Sequence, residues 1–223
     1  MVVVYTATRS YYRYLKTAVF SLLRYNKPKL YILCEDDNLP YDANIINVSN
    51  MKLGGVNANT PFSYMSLLRP LLADIIQEDK VIYLDVDTVV LEDLSPLWET
   101  DMAGKWWAAV KEQQMWYKPF GPEYYNNGVS VYNLKQMRDD GIVPVFTKEL
   151  LEVRHRFIDQ DVMNKYAVPD KVVPLPVRYN ESNCCGMTDD PAIIHYAGIN
   201  NWFNNQYVYR HEYLDAVIRE CGA

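Results

Sequence analysis

The segment KVIYLDVDTVVLEDLSPLW, residues 80–98, places two aspartates one residue apart directly after an apolar run and then returns to apolar residues. The run VIYL has the composition of a strand that is buried on both faces, so Asp85 and Asp87 should emerge at its carboxyl end. In open α/β sheets this edge is where ligands bind. The segment therefore predicts a sheet with an acidic site at one edge.

Two carboxylates held this close repel each other, and a cation bound between them removes the repulsion. Carboxylates select hard cations such as Mg²⁺ or Mn²⁺, which keep open positions for phosphate oxygens. The alternative is an acidic turn that faces water. Spacing alone does not decide between the two, because Asp159-Gln160-Asp161 repeats the D-x-D pattern.

Strands and helices alternate along the first half of the chain. Three runs have the composition of buried strands: VVVYTA, LYILC and NIINV. A helix with Ser10 as its N-cap is predicted between the first two, ending before Pro28. Pro70 interrupts the next helical pattern, which predicts a kinked helix or two short ones before VIYL. This order predicts an α/β fold with a mostly parallel sheet covered by helices on both faces.

The second half of the chain is less regular. Strands are predicted at KWWAAVK, GVSVYNL, KVVPLP and AIIHYAG, and helical stretches at GIVPVFTKELLEVRHRF, DQDVMNKYA and EYLDAVIREC. No repeat or linker divides the sequence, so we expect one domain over residues 1–223. Residues 1–100 would form its nucleotide-binding half and residues 101–223 its acceptor half. A chain of this length can also be one module of a longer polypeptide.

Charge and composition exclude several classes of partner. With 22 basic and 28 acidic residues and a net charge of -6, the chain offers no basic stripe for nucleic acid. Its apolar runs are far shorter than the roughly 20 residues of a transmembrane helix, and its first residues do not resemble a signal peptide. We therefore expect a soluble cytoplasmic chain without a transmembrane segment, with peripheral membrane association left open. No CxxC occurs, so thiols are expected in place of zinc sites or disulfides.

Aromatic residues are frequent, with 19 Tyr and 5 Trp, and many lie within residues 105–128. Their flat rings suit sugar or base surfaces, although core packing explains most aromatic residues in most proteins. The stretch from Trp106 to Asn127 is expected to line an acceptor cleft or a lid.

Five segments, in order from residue 7 to residue 202, resemble motifs of the family 8 glycosyltransferases, which include glycogenin and bacterial lipopolysaccharide galactosyltransferases. KVIYLDVDTVVLEDLSPLW resembles the DxD segment of that family, and ATRSYYRYL its first loop and helix. YYNNGVSVYNL is similar to FNxGVxxxNL, DQDVMN to DQDxLN, and HYAGINNW to HFxGxxKPW. The resemblance implies the GT-A nucleotide-diphospho-sugar transferase fold.

The resemblance also implies a hexosyltransferase that moves a sugar from a UDP-sugar to a glycan, glycoprotein or lipid-linked acceptor, with retention of configuration. Asp85, Asp87 and His195 would bind Mn²⁺ or Mg²⁺, and the imidazole suits Mn²⁺ better. The donor contacts that it implies are Ala7, Thr8, Tyr11, Arg69, Asp85, Val86 and Gly198. The positions that it implies near the anomeric carbon are Asn126, Asp159 and Gln160.

The sequence departs from the family pattern at two places. Thr8, Arg9 and Ser10 stand where the family carries an acid and an asparagine. HYAGINNW lacks the Lys-Pro pair whose lysine binds the diphosphate, so Arg9, Arg178 or an asparagine of the segment would take over part of that task.

Two other functions remain open from the sequence. A nucleotidyl or phosphoryl transferase would use the same acids but would need a Gly-rich or basic phosphate loop, and TATRSYY contains no glycine. A non-catalytic module that binds sugars or nucleotide sugars would keep the fold without turnover.

Overall fold

The computed structural model describes residues 1–51, 53–58, 63–113, 119–198 and 211–222. Its strands are β1 Val2–Ala7, β2 Lys29–Cys34, β3 Asn44–Asn47, β4 Val81–Leu84, β5 Thr88–Val90, β6 Trp107–Lys111, β7 Tyr125–Tyr132, β8 Val172–Leu175 and β9 Ile193–His195. Its α-helices are α1 Tyr12–Tyr25, α2 Leu72–Ile75, α3 Ser95–Trp98, α4 Leu134–Asp139, α5 Val143–Glu152, α6 Ile158–Ala167 and α7 His211–Cys221. Short 3₁₀-helices span Arg9–Tyr11, Tyr64–Leu71 and Val177–Tyr179.

The central sheet has seven strands in the order β3-β2-β1-β4-β7-β6-β8. Only β7 runs antiparallel to its neighbours β4 and β6, and the other pairs in this sheet are parallel. The predicted α/β class with a mostly parallel sheet is therefore confirmed.

The strand order brings several chain segments to one edge of the sheet. β1 lies between β2 and β4, so the direction of winding reverses between β1 and β4 and opens a crevice at their carboxyl ends. Because β7 is antiparallel to β4, β7 begins where β4 ends, and the Asp85 amide donates to the Gly128 carbonyl at 2.7 Å. β6 runs parallel to β4, so Glu112, directly after β6, reaches the same edge.

Each face of the sheet is covered by an apolar layer. Val2 and Val4 of β1 join the layer that includes α4, α5 and α6, and Val3 and Tyr5 join the layer that includes α1. This alternation follows from the two-residue period of a strand. In α1, Leu15 contributes to the second layer and is fully buried.

A second sheet consists of β5 and β9, paired antiparallel with Thr88 opposite His195. The backbone amide of Tyr196 also donates to the carbonyl of Asp87 at 2.9 Å. α7 covers this sheet through Leu214 and Val217. The pairing carries His195 to the end of β4, more than a hundred positions away in the sequence.

Several boundaries differ from the sequence predictions. Ser10 does not cap α1: it lies in a 3₁₀-helix, its hydroxyl contacts that of Thr8 at 2.9 Å, and α1 begins at Tyr12 without a side-chain cap. The helical stretch predicted to reach Phe157 ends at Glu152. The short elements β5, α3 and α4 were not predicted. The interruption at Pro70 is confirmed, as a 3₁₀-helix followed by α2.

Within the described ranges, every helix is too short or too polar to cross a bilayer.

Candidate active site

A cleft of about 440 Å³ opens at the carboxyl edge of the sheet, between β1, β4 and the start of β7. This volume is in the range of small-molecule sites. The structure brings most of the predicted site residues to its wall: Ala7, Thr8, Tyr11, Arg69, Asp85, Val86, Asp87, Asn126, Gln160, His195 and Gly198. Asp159 is not among the lining residues, because its side chain is buried behind Arg69.

Asp85, Asp87 and His195 form a cluster with the composition of a metal site. Each offers one ligand atom, and these atoms all lie within 4.8 Å of one another. Nε2 of His195 is 3.3 Å from Oδ1 of Asp87 and 3.9 Å from Oδ2 of Asp85. Asp85 directly follows β4 and Asp87 lies in the short turn before β5, and this turn brings both carboxylates to the same side.

Charge and burial act together on this cluster. Burial raises the pKa of Asp85, the neighbouring Asp87 raises it further, and Arg69 and His195 oppose the change. Burial alone would lower the pKa of His195, but the carboxylates of Asp87 and Asp85 outweigh it and raise the pKa overall. A divalent cation would relieve the repulsion between the acids, and two carboxylates with one imidazole suit Mn²⁺.

Gly128 has no side chain, and the cluster occupies the space that a side chain at this position would fill. A Cβ atom at Gly128 would lie 2.1 Å from Cε1 of His195 and 2.8 Å from Oδ2 of Asp85. Any larger residue would therefore displace two of the three candidate ligands. The backbone of β7 approaches the cluster as closely as it does only because this position has no side chain.

Arg69 links the cluster to Asp159. Its Nη1 atom is 3.2 Å from Oδ2 of Asp85 and from the carbonyl oxygen of Asn127, and its Nε atom is 2.7 Å from Oδ2 of Asp159. Burial raises the pKa of Asp159 to about 6 despite the opposing charge of Arg69. The guanidinium thus positions the buried Asp159 and the partly exposed Asp85, and its predicted contact with a donor remains a prediction.

Residues 2–205 match the model of the family described as Glycosyl transferase family 8. The chain belongs to this family. The family predicted from the five motifs is confirmed, and this supports the predicted glycosyltransferase class of enzyme.

Individual relatives agree with the assignment. A probable glycosyl transferase Gly of Streptococcus gordonii is 30% identical over 66% of this chain and 20% of its own length. Glycosyltransferase GlyE of Streptococcus pneumoniae serotype 4 is 28% identical over 80% of this chain and 47% of its own length. The chain thus spans less than half the length of these relatives. The galactosyltransferase LgtC, solved in complex with donor and acceptor sugar analogs, has the same fold, with a TM-score of 0.78, 22% identity, and coverage of 99% of this chain and 96% of LgtC.

Two buried residues at the site of this family 8 chain, Glu112 and Asn180, were not predicted from the sequence. Oε1 of Glu112 accepts hydrogen bonds from the side-chain amides of Asn126, at 2.9 Å, and Gln160, at 3.0 Å. Asn180 contacts the ring of His195 at 2.9 Å. An acid directly after the strand WAAVK was a usable signal for Glu112, while Asn180 follows a 3₁₀-turn and had none.

The cleft end formed by β1 carries Thr8 and Tyr11, two of the residues predicted to contact the donor. Arg9 turns away from this end to form an exposed ion pair with Asp36 at 2.6 Å. Arg178 pairs with Glu92 and Asp190 and does not line the cleft, so it is not placed to bind a diphosphate there. Asn200, Asn201 and Trp202 lie outside the described residues.

The prediction that the aromatic stretch lines an acceptor cleft or a lid is wrong for Trp106, Trp107, Tyr124 and Tyr125, whose rings are buried. Trp107 and Tyr125 are buried in one core layer, and the indole N–H of Trp107 donates to Ser130 at 2.9 Å. Trp106 packs on Phe146 in the same layer. The stretch contributes to the cleft mainly through polar groups, and residues 114–118 lie outside the described residues.

Proposed function

We propose that this chain transfers a sugar from a nucleotide-diphosphate sugar, with UDP-sugars as first candidates, to a carbohydrate, glycoprotein or lipid-linked acceptor. The observation that carries the proposal is the Asp85, Asp87 and His195 cluster in the wall of a ligand-sized cleft at the switch point of the sheet. Membership of family 8 supports sugar transfer as the chemistry.

The donor set and the space left by Gly128 fit a divalent ion, Mn²⁺ in preference to Mg²⁺. Asp85, Asp87 and His195 would hold it. When bound, such an ion neutralises charge that develops on the diphosphate leaving group. Arg69 would keep Asp85 ionised and oriented through its contact at 3.2 Å.

Gln160 is the better candidate for contact with the donor sugar than Asp159. Asp159 is engaged by Arg69 and by the side-chain amide of Asn127 at 2.6 Å, whereas Gln160 lines the cleft. Both polar atoms of the Gln160 side chain are fixed, because its Nε2 donates to Glu112 and its Oε1 accepts from the backbone amide of Asn127 at 3.1 Å. A fixed amide of this kind would orient a sugar ring. Retention of configuration is part of the proposal on the strength of the family motifs.

Product analysis separates this proposal from its two rivals. The protein would be incubated without acceptor, with a panel of UDP-sugars and either Mn²⁺ or EDTA, and nucleotides would be separated by chromatography. Slow release of UDP that requires Mn²⁺ supports a glycosyltransferase. Release of UMP instead would indicate phosphoryl or nucleotidyl chemistry. Binding without release of either nucleotide, even with a panel of sugar acceptors added, would indicate a non-catalytic module.

A matched pair of variants controls the experiment. Asp87→Asn removes a candidate metal ligand, while Asp161→Asn makes the same change in the second D-x-D segment, at a buried residue that does not line the cleft. Metal-dependent UDP release should disappear in the first variant and persist in the second. Equal loss in both would show that the acids act through stability alone.

A further inference from the structure

The ring of His195 can bind a cation through Nε2 only when that atom has a free lone pair, so Nδ1 must carry the proton. Nε2 is the atom that faces Asp85 and Asp87. Nδ1 points the other way, to Oδ1 of Asn180 at 2.9 Å. The orientation of the Asn180 amide therefore bears directly on the metal site.

A buried chain of hydrogen bonds sets that orientation. The backbone amide of Gly128 donates to Oδ1 of Asn126 at 2.9 Å, and a backbone N–H cannot reverse its polarity. Oδ1 of Asn126 also accepts from Nδ2 of Asn180 at 2.9 Å. Because Nδ2 of Asn180 is used there, its oxygen faces His195 and accepts the Nδ1 proton.

The hydrogen bond made by the side-chain nitrogen of Asn126 is consistent with this orientation of the two amides. Its Nδ2 donates to Oε1 of Glu112, and a carboxylate offers only acceptors. Reversal of the Asn126 amide would place its nitrogen against the Gly128 N–H and its oxygen against Glu112. The first contact would place two donors against each other, and the second would place two acceptors against each other.

Backbone pairing holds Asn180 beside the ring. The amide of Glu181 donates to the carbonyl of Ile193 at 3.0 Å, and the amide of His195 donates to the carbonyl of Glu181 at 2.8 Å. Asn180 and His195 therefore sit on adjacent chain segments in a fixed register. The side chain of Asn180 is fully buried, as is expected of a group that acts through hydrogen bonds within the protein.

We propose that Asn180 is a positioning residue for the metal site: it holds His195 as the Nδ1–H tautomer with Nε2 turned toward Asp85 and Asp87, under control of the Gly128 backbone through Asn126. The inference rests on the proposed role of His195 as a ligand. It adds a residue that touches neither the cation nor the donor.

The test measures Mn²⁺ affinity without nucleotide, by electron paramagnetic resonance of free Mn²⁺. Asn180→Leu removes the acceptor at similar shape and should weaken Mn²⁺ binding by about 10- to 100-fold, the usual effect of losing a partner of a histidine ligand. Asn180→Asp keeps an acceptor for Nδ1–H but loses the donor to Asn126, so its Mn²⁺ affinity should lie between those of wild type and Asn180→Leu. Wild-type affinity in Asn180→Leu would overturn the proposal.

Asn57→Leu is the matched control. Asn57 is also a buried asparagine with three hydrogen bonds, to the carbonyls of Leu150 and Val153 and from the backbone amide of His155. Its loss should lower stability and leave Mn²⁺ affinity unchanged. A fall in affinity equal to that of Asn180→Leu would assign the effect to general loosening and overturn the proposal.

Nuclear magnetic resonance of ¹⁵N-histidine-labelled, Mg²⁺-loaded wild type gives a second readout that needs no variant to fold. The chain has three histidines, so the ring signals can be assigned. We expect a proton on Nδ1 of His195, and an unprotonated Nδ1 would overturn the proposal. If wild type binds neither Mn²⁺ nor Mg²⁺, the proposed function itself fails. If wild type binds and Asn180→Leu matches it, only this inference fails.

Discussion

The chain contains two D-x-D segments, and they perform different tasks. Asp85 and Asp87 follow a strand, face the same cleft and meet His195 there. Asp159 and Asp161 begin α6, where residues two apart point about 200° apart around the axis. These two acids therefore diverge, Asp159 toward Arg69 and Asp161 toward the preceding loop.

Asp161 holds the chain that leads into α6. Its Oδ2 accepts from the backbone amides of Arg156 and Phe157 at 3.0 and 3.1 Å, and its Oδ1 accepts from the hydroxyl of Tyr124 at 2.5 Å. The spacing of two acids therefore acquires a function only from the element that carries it. Arg69 joins the two segments by contacting Asp85 and Asp159 together.

The largest expected difference between the segments is in turnover. Asp87→Asn should lower the rate of Mn²⁺-dependent UDP release from UDP-sugars by about a thousandfold or more, since metal stabilisation of phosphate charge is worth several kcal/mol. Asp161→Asn should stay within about threefold of wild type. Steady-state assays at saturating Mn²⁺ measure both rates, and comparable losses in the two variants would remove the distinction drawn between the segments.

The next effect concerns pH and stability. Asp159 has a pKa of about 6 in the folded chain against 3.8 as its ordinary value, so between these limits the folded state binds more protons than the unfolded state. The free energy of unfolding should therefore fall as pH rises from about 4 to about 6, by up to about 3 kcal/mol from this group. Urea unfolding in EDTA across this range checks it, and Asp159→Asn should flatten the decline. An unchanged slope in the variant would contradict the assignment to Asp159.

The third expected effect concerns Gly128, which lies beside the acids of the first segment. Gly128→Ala should weaken Mn²⁺ binding by about 100-fold, because its Cβ would occupy the space of His195 and Asp85. Gly54→Ala is the control, since a Cβ there meets no atom within 4 Å. Titration of both variants with Mn²⁺ measures the difference. Normal affinity in Gly128→Ala would mean that the ligands can move aside.

The smallest effect is the loss of stability in Asp161→Asn. The variant keeps one oxygen for partners that now use two, so we expect unfolding to become easier by about 2 kcal/mol. Urea denaturation at pH 7 measures it, with Mn²⁺ affinity recorded on the same preparation. A stable variant with lost affinity would reverse the roles given to the two segments.

Much of the fold and part of the site follow from local pattern. The apolar run of β4 predicts a buried strand, and a strand end predicts where Asp85 and Asp87 emerge. His195 was predicted as a ligand only from its motif, because its position beside the two acids depends on pairing between β5 and β9, which no local pattern encodes.

Other features required the three-dimensional structure. Trp106 and Trp107 are as compatible with a sugar cleft as with a core until the strand pairing of β6 is known. The role of Asn180 depends on its contact with the His195 ring, 15 positions later, and the bridge between Glu181 and Ile194 makes that contact possible. Glu112 likewise depends on β6 running parallel to β4 across the intervening β7. Such relations arise from contacts between elements that are distant in sequence.

The role of Asp85 and Asp87 in binding a nucleotide through a metal is tested by calorimetric titration of UDP into the wild type and into the double variant Asp85→Asn/Asp87→Asn, with Mn²⁺ and with EDTA. Asp161→Asn serves as the control for stability. We predict that UDP binds wild type and the control only with Mn²⁺ and fails to bind the double variant under either condition. UDP binding that is indifferent to both the metal and the acid pair would contradict the role assigned to Asp85 and Asp87.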